Sequence, residues 1–205
     1  MNSATCIHLV RHGEVHNPQQ ILYGRLPRFR LSDRGREQAR AAGRRLQAHD
    51  LRAVVSSPLL RTRQTAAEIL NFFPALKLRQ SRRLIEVHTV YEGRPGAQVD
   101  ALNGDIYTDA PPQFDQPEDI VVRVRPLLWQ LRRRFAGGHV AAVTHGDVIV
   151  FTMLWAKGVA LSPENKVRLK KTGFPVSYPG HASITSLVFR TEDEEGLPEV
   201  KYLKI

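Results

Sequence analysis

Cysteine is nearly absent from this chain of 205 residues, with Cys6 the only one. A lone thiol excludes an internal disulfide and any multi-cysteine metal site, and in an apolar run it reads as core packing. Long hydrophobic runs are missing too. No stretch approaches the ~20 apolar residues of a membrane-spanning helix, and Met1 to Cys6 lacks the basic-then-apolar pattern of a secretion signal. The expectation is a cytoplasmic protein with no membrane partner. Internal repeats and dividing linkers are also lacking, so residues 1–205 read as a single domain, long enough to bury a substantial core. The sequence specifies no oligomeric state.

Acidic residues are scarce relative to basic ones, 20 against 30, for a net charge of +10. Of the basic residues 23 are Arg, and eight of these fall between Arg25 and Arg45 with only Asp33 and Glu37 against them. Such a balance favours anionic partners. Nucleic acid is one candidate, because phosphate neutralisation binds it without regard to sequence. Yet after Tyr23 the segment holds a single aromatic, Phe29, and offers no base-stacking platform. A solvated, arginine-rich helix face that draws in small phosphorylated substrates is the more economical reading, and nucleic acid is not the expected partner.

What is present is organised around Ile7 to Pro18. Apolar residues up to Val10 fit a short buried strand that stops at Arg11-His12-Gly13-Glu14, where Gly13 permits a turn that a Cβ would crowd. Arg11 and His12 then stand at a strand's carboxyl end, where open α/β sheets bind ligands. An imidazole can act as a nucleophile, and a guanidinium offers forked donors to a phosphoryl group. The pattern recurs at His139 to Val143, a strand running into Thr144-His145-Gly146 and a helix from about Val148 to Ala156. Two strand-end histidines, each followed by glycine, are hard to dismiss as incidental.

Between these strands, Gln19 to Leu31 reads as a loop in which Tyr23-Gly24-Arg25 can fold over the Arg-His turn. Ser32 is a good N-cap for a helix from Asp33 to about His49. A second strand, Ala53 to Ser57, leads to a helix with Ser57 as N-cap and Pro58 as its first residue, and Arg61 near the start can complete an anion site. Phe72 to Gln116 reads as a loop-rich excursion that covers a site or carries part of it. Within it Glu86 follows two apolar residues, a setting that raises a carboxyl pKa and suits a general acid. A helix from Pro117, with Pro126 expected to kink or loosen one turn, ends at Gly137-Gly138. Ala182 to Arg190 and Val200 to Ile205 form two strands joined by an acidic turn at Thr191 to Glu199. The alternation predicts a three-layer α/β sandwich, a mostly parallel central sheet flanked by helices with an antiparallel edge near the C-terminus.

Arg11, His12, Arg61, Glu86 and His145 together suit phosphoryl transfer through a phosphorylated histidine, without a metal or other cofactor. The sequence resembles the histidine phosphatase superfamily, the phosphoglycerate-mutase-like proteins. The similarity is carried by Leu9-Val10-Arg11-His12-Gly13-Glu14 with Asn17, by Gly24, Leu31-Ser32 and Gly35, by Ser56-Ser57-Pro58-Leu59 with Arg61, Gln64 and Thr65, and by Leu84, Glu86, Glu92-Gly93 and Thr144-His145-Gly146. The resemblance implies that His12 attacks phosphorus, that Arg11, Arg61 and His145 bind the phosphoryl oxygens, and that Glu86 protonates the leaving oxygen. His145 then works best as a cation or donor. Asn17, Tyr23, Gly24 and Glu92 are the expected substrate contacts. The chain departs from the family pattern at His88 to Tyr91, which intervene before Glu92-Gly93 and leave Glu92 as an alternative acid. It departs also at Val15, at the early position of Asn17, and in the long basic region Val159 to His181, which is either part of a substrate mouth or a surface insertion. A phosphatase for a small phosphorylated metabolite is the first reading, a cofactor-dependent mutase the second, and a non-catalytic binder of phosphorylated ligands or nucleic acid the third.

Overall fold

A computed structural model describes residues 4–190 and 196–205. Its elements are β1 (Thr5–Arg11), α1 (Asp33–Leu46), β2 (Leu51–Ser56), α2 (Leu60–Leu70), β3 (Leu78–Gln80), α3 (Gly96–Ala101), α4 (Pro117–Arg134), β4 (His139–Thr144), α5 (Gly146–Ala156), α6 (Pro163–Val167), β5 (Ile184–Phe189) and β6 (Glu199–Leu203). One six-stranded sheet runs in the order β3-β2-β4-β1-β5-β6. The first four strands are parallel, while β5 and β6 form the antiparallel edge. Residues 191–195 of the expected acidic turn lie outside the described residues.

Period-two alternation divides the strands between two helical layers. Ile7 and Leu9 of β1, with Val140 and Ala142 of β4, face a core shared with Ile120, Leu128 and Ile149 of α4 and α5. Val10, Ala141 and Val143 face the other way, against Ala42 and Leu46 of α1 and Ala66 and Ile69 of α2. The three expected layers follow. Cys6 is only half-buried and lies outside both cores.

Ser57 does not cap α2, which begins at Leu60 after Leu59, so Pro58 precedes the helix instead of opening it. β3 is too short to register as alternation. Pro126 leaves α4 unbroken. Its missing N–H frees the carbonyl of Val122, a residue 68% exposed, where water can serve as donor. The basic outer face of α1 is only partly solvated, since Arg36 and Arg40 both reach the buried carboxylate of Glu68 on α2.

The start of α1 is locked to the Arg-His turn. Ser32 Oγ accepts from Gly35 N–H at 3.0 Å and donates to Glu14 Oε1 at 2.8 Å. Gly13 and Gly35 pack backbone to backbone, and a Cβ on Gly35 would fall 2.0 Å from the Glu14 carbonyl oxygen. Gly35→Ala should therefore force the turn and helix apart and lower the unfolding free energy by about 1–3 kcal/mol. Urea titration checks it, and an unchanged midpoint would contradict this account of the junction.

Candidate active site

Parallel pairing sets Arg11 opposite Thr144, so the residues that follow them, His12 and His145, emerge side by side. The His12 N–H donates to the Thr144 carbonyl at 3.0 Å, and the two imidazole centroids lie 5.4 Å apart. Both rings are buried. His12 Nδ1 lies 2.8 Å from the Gly13 carbonyl oxygen, which can only accept. Its proton is therefore on Nδ1, and Nε2 carries the lone pair. Burial, and then Arg61 and Arg11, hold the His12 pKa well below its ordinary value. The imidazole is uncharged and nucleophilic.

Arg61, in the first turn of α2, is fully buried. Its Nη2 donates to the Gly24 carbonyl at 2.7 Å and to His145 Nδ1 at 3.1 Å. A guanidinium only donates, so Nδ1 of His145 is an acceptor and its Nε2 proton points to Ser57 Oγ, 2.8 Å away. Burial first, with Arg61 and His12 next, keeps His145 well below the ordinary imidazole pKa. Of the two expected forms, cation or donor, this state has the donor: His145 is neutral and gives its Nε2 proton to Ser57. This explains Ser57, whose hydroxyl serves the histidine and not the helix.

Arg11 donates to the Pro179 carbonyl at 2.6 Å and lies over the ring of Tyr178. The Nε of Arg11 and the Nε of Arg61 are both buried without a hydrogen-bond partner among the described residues. Orphaned cationic donors are costly unless an anion meets them. Tyr23 supports the same corner, its ring 4.7 Å from the Arg61 guanidinium carbon and edge-on to His12.

Glu86 approaches from the loop after β3. Its carboxylate lies 3.5 Å from His145 Nδ1 and 3.9 Å from Arg61 Nη2. Ligand atoms of His12, Glu86 and His145 all lie within 4.8 Å of one another. The Glu86 backbone is pinned, for its carbonyl accepts from Arg25 Nε at 2.7 Å, and Arg25 and Arg123 share Asp115. Burial, reinforced by the charge of Asp147, raises the Glu86 pKa to about 7.

The remaining expected contacts divide. Tyr23 and Gly24 line a cavity of about 560 Å³ together with Arg11, His12 and Glu86. Asn17 does not line it, and its amide closes a local turn on the backbone of Ile21. Glu92 is likewise absent from the wall. Its Oε1 accepts from Arg25 N–H at 2.8 Å and packs where a Cβ on Gly24 would stand. Asn17 and Glu92 thus shape the Tyr23-Gly24 loop from behind.

Sequence reasoning missed the far wall. Asp147, buried in the first turn of α5, accepts from Tyr107, Tyr178 and Lys166 at 2.5, 2.6 and 2.8 Å. Burial pushes its carboxyl up, but Lys166 and these hydrogen bonds bring it below its ordinary value. Lys166, Val167, Ser177 and Tyr178 make Val159 to His181 part of the mouth. The Asp directly after His145-Gly146 was the available signal, while Tyr107 and Lys166 gave none because their partner lies far off in the chain.

Comparison with known proteins agrees with this geometry. The sequence model of the histidine phosphatase superfamily, branch 1, matches residues 7–188. An uncharacterised Mycobacterium tuberculosis protein, Rv0525, is 34% identical over 209 residues, covering 98% of this chain and 97% of its own. A probable phosphoglycerate mutase of Photorhabdus laumondii is 27% identical over 80% of each chain. Among solved structures, a mycobacterial glucosyl-3-phosphoglycerate phosphatase superposes with TM-score 0.77 at 28% identity, covering 97% of each chain.

The raised Glu86 pKa has a cost in stability. A carboxyl whose folded pKa is raised from 4.5 to about 7 favours the fold fully below pH 4.5 and loses that contribution as pH rises through 7. Glu86→Gln should then gain stability over the wild type as pH rises from 5 to 8, on the order of 3 kcal/mol at full ionisation. Chemical denaturation at several pH values measures it, and a pH-independent difference would contradict the assignment.

Proposed function

Because the chain belongs to the histidine phosphatase superfamily, we propose that it is a phosphomonoester hydrolase working through a phosphohistidine on His12, with a small phosphorylated metabolite as substrate. The observation that carries this reading is the lone-pair nitrogen of a buried, neutral His12 set beside two guanidiniums whose Nε donors lack partners among the described residues.

In the first step His12 Nε2 attacks phosphorus as the bond to the leaving oxygen breaks. The electron pair departs on that oxygen, which takes the proton of Glu86. Arg11 and Arg61 meet the charge on the phosphoryl oxygens. His145 changes role here: an arriving dianion favours uptake of one further proton from solvent at Nδ1 as Arg61 Nη2 turns from that nitrogen to the phosphoryl oxygens, which leaves the Glu86 proton for the leaving group. In the second step water attacks phosphorus, gives its proton to Glu86, and the P–N electrons return to His12. Electrons and protons balance without a metal, so activity is expected to survive chelation.

The cavity favours hydrolysis over the mutase alternative. Beyond the phosphoryl end, its charged wall residues are Asp100, Asp147 and Lys166, and the ammonium of Lys166 is already paired with Asp147 and the Gly104 carbonyl. Among the described residues that line it, no unpaired cation stands ready for a second phosphate or a carboxylate. Apolar Leu22, Val87, Val99 and Ile106 share the wall with Thr89, Asn103 and Ser177. A leaving alcohol of mixed polar and apolar character, without negative charge of its own, suits this lining. Phosphomonoesters of uncharged alkyl or aryl alcohols should accordingly be hydrolysed with higher kcat/KM than phosphoglycerates, and a reversed order would favour the mutase reading.

Site-directed variants test the chemistry. His12→Ala should abolish turnover of every phosphomonoester. Glu86→Gln should slow an alkyl phosphate by about 10² to 10⁴ while sparing an activated aryl phosphate, whose leaving group departs without a proton. Glu92→Gln should show a smaller loss, equal for both substrates. Were the leaving-group sensitivity to follow Glu92 instead, Glu86 would be a structural carboxylate.

A further inference from the structure

A second group of titratable side chains lies on the sheet away from the phosphoryl centre. His8 alternates with Val10 onto the α1 side of β1, His139 alternates with Ala141 and Val143 onto the same side of β4, and His49 follows the end of α1. Chain order hides this, because the three histidines come from separate elements. The fold brings a ligand atom from each within 4.8 Å of the others. Their rings stack with centroids 4.5 to 5.2 Å apart. His139 stands at the start of β4 and His145 just past its end, a separation of about 20 Å along an extended strand.

We propose that His8, His49 and His139 form a binding site for a divalent transition-metal ion of the imidazole-preferring class, for which zinc is the representative. The strongest observation is the orientation of His8. Its Nδ1 lies 2.8 Å from the hydroxyl of Ser186, its cross-strand partner on β5, and its Nε2 lies 2.9 Å from His139 Nδ1. In the tautomer whose Nδ1–H donates to that hydroxyl, Nε2 carries a lone pair directed at His139. Metal-bound histidines are held in this way through their second nitrogen. His139 has only to move its proton to Nε2 to offer a second lone pair, so no charged group is left behind.

Two nitrogens 2.0–2.1 Å from a tetrahedral ion stand about 3.3 Å apart, so the His8–His139 pair needs to open by a few tenths of an ångström. His49 is exposed and free to swing from the stack into the third position, and His139 is half-buried, which leaves a path for the ion and a place for water. Nearby Asp50 and Arg52 are paired with each other, so neither presents an unbalanced charge. Imidazole ligation selects zinc, copper or nickel over magnesium and calcium. Such an ion would tie the end of α1 to the two central strands and stabilise the fold by mass action. The inference is independent of the hydrolase reading.

Equilibrium dialysis of the intact chain against Zn²⁺ alone, with metal analysis, tests it. We expect one tightly held equivalent in the wild type and in His12→Ala. His139→Ala and His49→Ala, which alter side chains at or near the surface, should keep their circular dichroism yet bind zinc at least about tenfold more weakly. Ser186→Ala should weaken binding by about tenfold through the lost orientation of His8. Absence of binding by the wild type overturns the proposal. So does an equivalent that survives His139→Ala but disappears in His12→Ala, which would put the ion among His12, Glu86 and His145.

Discussion

The parallel pairing of β1 with β4 is the constraint on which the site depends. A register placing Arg11 beside Thr144 fixes where both strands end, and the next residue on each is a histidine. A slip of one residue would turn every side chain of β1 to the opposite face. Burial on both faces of the sheet forbids that slip, since Ile7, Leu9 and Val10 are all fully buried. Precision at His12 and His145 is thus supplied by the core of the domain, with Gly13 against Gly35 fixing the turn that follows.

Around those histidines the fold accepts unfavourable electrostatics. Two arginines, two neutral histidines and a carboxylic acid share this corner, and burial is the first cause of the pKa shifts of His12, Arg61, Glu86 and His145. An arriving phosphoryl dianion would answer the positive side of this arrangement, giving the orphaned arginine donors a partner and His145 a reason to take a proton. Asp147 works in the opposite direction, its negative charge helping Glu86 keep the proton that the proposed general acid would give to a leaving alkoxide. Since Asp147 also accepts from Tyr178, against which Arg11 lies, one buried carboxylate bears on both the proposed acid, Glu86, and the proposed phosphate ligand, Arg11.

Much of this was legible in the sequence, for identifiable reasons. The strands ending in His12 and His145, the cap at Ser32 and the amphipathic α4 are local patterns, and local patterns survive reading in one dimension. Glu86 was found because its apolar neighbours announce burial. Ser57 was misread because a serine before Pro58 satisfies the rules for a helix cap, while its actual partner, His145, is 88 residues away. Asn17 and Glu92 carry polar groups that suit a ligand, and only the fold shows those groups already engaged by backbone. The Asp147 network and the histidine stack escaped for the same reason, as each depends on which residues of distant strands and helices share a face.

The identity of the nucleophile decides whether a phosphohistidine forms on this chain. Mixing enzyme with a phosphomonoester carrying radiolabelled phosphate, quenching in alkali within one turnover and locating the label by peptide mapping and phosphorus NMR addresses it directly. The account predicts alkali-stable, acid-labile phosphate on Nε2 of His12. Phosphate on His145, or single-turnover product release with no covalent label at any time, would contradict it.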